Sequence, residues 1–158
     1  MNKLGFSSHV IVVVLVSVWV NASEVFRYFA IVMPETRELL HMVPNIAPMN
    51  LTVFLIWGLW DTLLTTMIVV MYWLVAQHRG HSLSSAGIAG LASWAFFFVL
   101  FWVGMINMSL TSVQLALIAL PLALVETVVA SGIACLLYRA IDRRRQANYA
   151  SSSVNCGL

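Results

Sequence analysis

Long apolar runs separated by short polar breaks dominate this chain. The runs at 50–76, 83–106 and 112–138 each exceed the roughly 20 residues a helix needs to cross a hydrocarbon core about 30 Å thick. The breaks between them, 77–82 and 107–111, are so short that the helices they join must be antiparallel neighbours, as in an up-down bundle. Asn50 and Asn107 stand where they would cap the second span and end the third. Gly80 ends the second span, and Ser82 or Ser84 starts the third.

The N-terminal run has two readings. Residues 10–20 match a signal peptide in length, with Lys3 before them and the small-residue sequence Val20-Asn21-Ala22 after them. The apolar pattern resumes at Val25, Phe26, Phe29, Ile31 and Val32, however, and so predicts a full span over 9–33. The expected fold is an all-α integral membrane protein, an up-down bundle of four transmembrane helices, or three if the first is a cleaved signal peptide. A short outer-surface helix is predicted over 34–42, with Pro34 in its first turn, Glu35 and Glu38 at its positive end, and His41 in its last turn. Leu39, Leu40, Met42 and Val43 would rest it on the bilayer, and Pro44 stops it. One transmembrane domain therefore occupies 1–138. A basic juxtamembrane segment and a polar, serine-rich, disordered tail fill 139–158.

Composition narrows the class. The chain is 61% hydrophobic and 9% charged, against about 45–50% and about 25% for soluble domains. A soluble fold of this length could not hide that apolar surface, which excludes a soluble enzyme, a nucleic-acid-binding domain and a disordered regulator. A net charge of +2 implies no anionic partner. Cys135 and Cys156 form no CxxC motif, so a dithiol exchanger is not expected. Lys3, Arg79, Arg139, Arg143, Arg144 and Arg145 fall on one side of the spans, while Arg27 and Arg37 share the other with Glu24, Glu35 and Glu38. The positive-inside rule then places both termini in the cytoplasm, in an inner or plasma membrane.

Three acids sit where charge is costly: Glu24, Asp61 and Glu126. Insertion of each costs about 2.5–3.5 kcal/mol even on a lenient scale. With a rise of about 1.5 Å per residue, Asp61 lies about 16 Å and Glu126 about 20 Å inward from the outer ends of their spans, with Glu24 shallower at about 8 Å. Helical spacing groups Trp57, Gly58, Asp61 and Thr65 on one face of the second span. It groups Ala119, Ala123, Glu126 and Ala130 on the fourth, beside Thr127 and Ser131. Ser17, Asn21, Glu24 and Tyr28 make a polar stripe on the first span, and Ser85, Ala89 and Ser93 a small-residue stripe on the third, with Ala86 and Gly90 beside it. Small residues mark close helix approach, so both deep acids are expected to face the bundle interior. Trp94, Phe97, Phe98, Phe101 and Trp102 are expected to face lipid or a partner.

Arg27, three residues after Glu24, is expected to neutralise that acid locally near the interface, which leaves Asp61 and Glu126 with no base at their depth. Two readings follow. The acids tie helices together through Thr65, Thr127, Ser93 or Asn21, or they bind a proton or cation in a working cycle. Trp57, one turn from Asp61, would suit a lipophilic amine through cation–π attraction. The expected function is transporter-like, with Asp61, Glu126, Glu24, Trp57, Asn21 and Thr65 handling protons, cations or lipophilic amines, in a homo-oligomer or with a larger membrane partner. The alternatives are an accessory subunit docked through the aromatic face of the third span and the surface helix, and a small intramembrane enzyme using the acids as general acid and base.

Other motifs are weak. His78 and His81 share a short loop without a carboxylate, and Glu38-x-x-His41 occurs once where bundle di-metal sites use such a motif twice. No metal, cofactor or catalytic nucleophile is expected, nor any nucleic-acid partner. Asn21, Asn50 and Asn107 begin glycosylation sequons that lie too close to the membrane for modification.

Overall fold

A computed structural model describes residues 6–45 and 49–155. Among these there are helices and no strands. Four helices are long and apolar enough to cross a membrane, Ser7–Leu39, Leu51–Arg79, Leu83–Asn107 and Val113–Asn148, which suggests a multi-pass membrane protein.

The first long helix consists of α1 (Phe6–Arg27), a wide π-helical turn (Tyr28–Val32) and α2 (Met33–Leu39). Arg27, Val32 and Met33 all keep right-handed helical dihedrals, so the helix is unbroken, and the expected separate surface helix is its last two turns. The wide turn has a local cause. In a regular α-helix the ring of Pro34 would clash with the carbonyl of Ala30. The turn instead pairs the Met33 N–H with the Tyr28 carbonyl, five residues back.

The second long helix, α3 (Leu51–Arg79), starts where Asn50 Oδ1 accepts the Val53 N–H at 3.0 Å. It ends at Gly80, whose φ of +74° favours glycine. The Ser82 hydroxyl then accepts the Ser85 N–H at 3.0 Å and starts α4 (Leu83–Ser93). A second π-helical turn (Trp94–Val99) leads into α5 (Leu100–Asn107). A wide turn holds more residues per revolution and so rotates everything after it. Phe98 and Trp102 are consequently buried, and the Trp94 indole N–H donates to the Leu120 carbonyl at 2.8 Å. The aromatic face expected to look outward is therefore largely turned inward, and of its residues only Phe101 is exposed.

The last helix, α6 (Val113–Asn155), continues well past Tyr138. The tail expected to be disordered is helical through Asn155, because 139–150 holds no glycine or proline and is rich in arginine and alanine, both good helix formers.

Packing closes the four long helices into a ring: α1 touches α3, α3 touches α4, α4 touches α6, and α6 returns to α1. The interior is lined by Val12, Val16 and Val20 of α1, Ile68 and Tyr72 of α3, and Ala119, Ala123, Ala130 and Ala134 of α6. The expected small stripe Ser85, Ala89 and Ser93 is buried, as are Ala86 and Gly90. A Cβ added to Gly90 would lie 2.6 Å from Val128 Cα, so these two helices meet backbone to backbone. The outside is apolar, with Val18, Leu59, Val103, Leu117 and Leu136 among its exposed residues.

Candidate functional site

Every fourth residue of α1 from Val12 to Val20 points into the bundle, and the same face carries Ser23 and Arg27 one and two turns on. Arg27 is therefore 6% exposed. Its Nη1 donates to Glu126 Oε2 at 3.2 Å, and its Nη2 pairs with Glu24 Oε1 on the preceding turn. The Ser23 hydroxyl donates to Glu126 Oε2 at 2.8 Å, and the Trp19 indole N–H to the Glu126 backbone carbonyl at 3.1 Å. The guanidinium lies 4.8 Å from the centre of the Phe98 ring, a cation–π contact made available by the rotation after Ser93.

Glu126 is fully buried, yet only one of its oxygens is satisfied: among the described residues, Oε1 has no hydrogen-bond partner. Asp61 is 6% exposed and close enough to feel the charges of Glu24, Arg27 and Glu126. Two carboxylates, Glu24 and Glu126, thus share one buried guanidinium, with Asp61 nearby and in no ion pair with it among the described residues. The expectation that Glu126 has no base at its depth is corrected here. Because the first helix runs to Leu39, Arg27 lies about 18 Å from its end and reaches across to α6. The spacing of Val16, Val20, Ser23 and Arg27 was the available signal, since it puts the arginine on the apolar stripe.

The other candidates are placed differently. The Thr65 hydroxyl is buried but donates to the Asp61 backbone carbonyl at 2.7 Å, not to its carboxylate. The Asn21 amide donates to the Ser17 carbonyl of its own helix at 2.8 Å. Trp57 is 46% exposed, because the first turns of α3 rise beyond the part covered by other helices. The amine-binding role expected of it has no support in this placement. Among the described residues no group of three or more His, Cys, Asp or Glu is placed to hold a metal.

A second polar cluster, which sequence reasoning missed, sits at the opposite end of the bundle. The Tyr138 hydroxyl pairs with His9 Nδ1 at 2.7 Å and the Tyr72 hydroxyl with His81 Nδ1 at 2.8 Å. The two phenol rings stack 5.9 Å apart, and His81 stacks on Tyr138 at 5.3 Å. Arg139 Nε donates to the His81 carbonyl at 2.7 Å, and Asp142 lies 3.8 Å from His81 Nε2. Burial holds the His81 imidazole below its ordinary value against the opposing pull of Asp142, with Arg139 adding to the lowering. Each histidine stands outside the apolar run that carries its tyrosine, so no spacing within one helix announces the cluster.

Comparison with protein-family models, with curated proteins and with solved structures finds no match to this chain.

Proposed function

We propose that this chain is a small multi-pass protein of the cytoplasmic membrane, with both termini inside, that binds and exchanges protons or other cations at Glu126, Asp61 and Glu24 around Arg27. The observation that carries this reading is the unpartnered Oε1 of a fully buried Glu126, in a cluster where acids outnumber bases. A purely structural acid is expected to have both oxygens satisfied, because an unpaired buried polar atom costs stability. An oxygen left open inside the bundle is available to a proton or a cation. Orientation follows from the arginines of 139–145, which lie at the His9–Tyr138 end, while Glu35 and Glu38 lie at the other. A homo-oligomer fits the apolar exterior. The accessory-subunit reading draws on the surface helix and on an outward aromatic face; of that face Phe98 and Trp102 are turned inward, which favours the first reading.

The test is flux through proteoliposomes under a proton gradient, read with a pH dye, for wild type, Glu126→Gln and Asp61→Asn. We expect Glu126→Gln to lower flux about tenfold or more, as for an intramembrane acid on a proton path. Unchanged flux in both variants overturns the proposal.

A further inference from the structure

Between α1 and α6 lies a groove with a volume of about 300 Å³, walled by Trp19, Phe26, Leu122 and Val125, with Arg27 and Glu126 at its polar side. Phe26 and Val125 are exposed on the bundle exterior, whereas Arg27 and Glu126 are buried. The groove thus runs from the apolar outside to the charged cluster without passing either end of the bundle. Glu126 is among its lining residues, and Glu126 Oε1 is a fully buried acceptor with no partner among the described residues. Its size lies at the lower end of the range for small-molecule sites, and its make-up, hydrocarbon walls with one or two polar anchors, is usual for them.

We infer that this groove admits, laterally from the lipid, an alkylammonium whose tail lies against Trp19, Phe26, Leu122 and Val125 and whose N–H donates to Glu126 Oε1. The inference rests on the proposed cation-handling role of the cluster and names its ligand class. Charge complementarity selects the occupant. Glu24 and Glu126 pair with a single guanidinium and Asp61 lies nearby, so a cation is favoured over a neutral alcohol and over an anion. The open oxygen needs a donor, so an ammonium bearing N–H is favoured over a quaternary one, which has none. Ser23 and Arg27 already occupy the other oxygen, which leaves Oε1 as the acceptor for the ligand.

The experiment is thermal unfolding of the full chain in maltoside at neutral pH, titrated with dodecylammonium, dodecyltrimethylammonium or dodecanol. Dodecylammonium should stabilise the protein at about tenfold lower concentration than either of the others, the worth of one charge-assisted hydrogen bond. Ala22→Trp, which fills the mouth of the groove from an exposed position, should remove this preference. Val18→Trp, on the exposed outer side of the same helix, should keep it. Equal effects of the three compounds mean that the groove merely takes up an alkyl chain, and they overturn the inference, as does a preference that survives Ala22→Trp. The parent reading fails separately. If the preference is present and lost in Ala22→Trp while Glu126→Gln and Asp61→Asn both leave proton flux intact, the groove stands and the exchange role falls. If Glu126→Gln abolishes flux and no ligand preference appears, the exchange role stands and the groove falls.

Discussion

The two polar clusters of this bundle share a scaffold and differ in their chemistry. Around Arg27, two acids compete for one guanidinium and one carboxylate oxygen is left open. Around Tyr72 and Tyr138, each phenol has its own histidine and the rings stack on one another. The second arrangement is complete as it stands: uncharged hydroxyls meet ring nitrogens, and burial keeps the His81 imidazole toward its neutral form. The first is incomplete, because Glu126 Oε1 has no partner among the described residues. Completeness marks a fastening and incompleteness a place for something else. The two ends can therefore be told apart by what each loses when one member is removed.

The largest effect is expected at the charged end. Arg27→Ala leaves the buried Glu126 and the part-buried Glu24 without their shared base and should cost about 3–5 kcal/mol of stability, read by thermal or denaturant unfolding in detergent. Adding Glu126→Gln to that variant should recover part of the loss, since the uncompensated charge goes with it. A double variant no more stable than Arg27→Ala would mean that the pair does not carry the cost. At the aromatic end, Tyr138→Phe removes one hydrogen bond to His9 and should cost about 1 kcal/mol, with proton flux in vesicles unaffected. A loss of flux there would erase the contrast drawn between the two ends.

The smallest effect is one of pH. A histidine whose folded value is lowered binds its proton more readily when unfolded. Its contribution to stability is thus present above the ordinary value of 6.5 and lost as pH falls through the lower folded value. His81 faces Tyr72, Tyr138, Arg139 and Asp142. Removing it with His81→Gln should flatten the decline of melting temperature between about pH 7.5 and about pH 5.5 relative to wild type. An equal decline in both proteins would place the pH sensitivity elsewhere.

Much of the scaffold was legible because small residues and caps act locally. The stripes Ser85, Ala89, Ser93 and Ala119, Ala123, Ala130 could be read from helical spacing alone, and each is buried. Asn50, Gly80 and Ser82 end and start helices where their chemistry says they should. What resisted reading depends on departures from regular spacing and on long side chains. Nothing in the sequence Trp94–Val99 announces a wide turn, and without it the inward face of Phe98 and Trp102 is assigned to the wrong side. The pairing of Arg27 with Glu24 is legible because that acid is three residues away; the longer reach to Glu126 requires knowing which helix stands opposite. Trp57 keeps the helical phase of Asp61 but loses its neighbours, since phase says nothing of where coverage by other helices stops.

The contact at Gly90 divides the molecule mechanically. Where two backbones touch, as α4 and α6 do at Val128, neither helix can slide or roll without collision, and the pair behaves as a single strut. The seam between α1 and α6 is made instead by valines, a tryptophan and an arginine, side chains that can change rotamer as the helices shift. The α1–α6 seam therefore has more room to adjust than the α4–α6 seam. Any opening that gave passage to the buried carboxylates would be a hinging of the first helix away from a fixed post, along the line where the groove already lies.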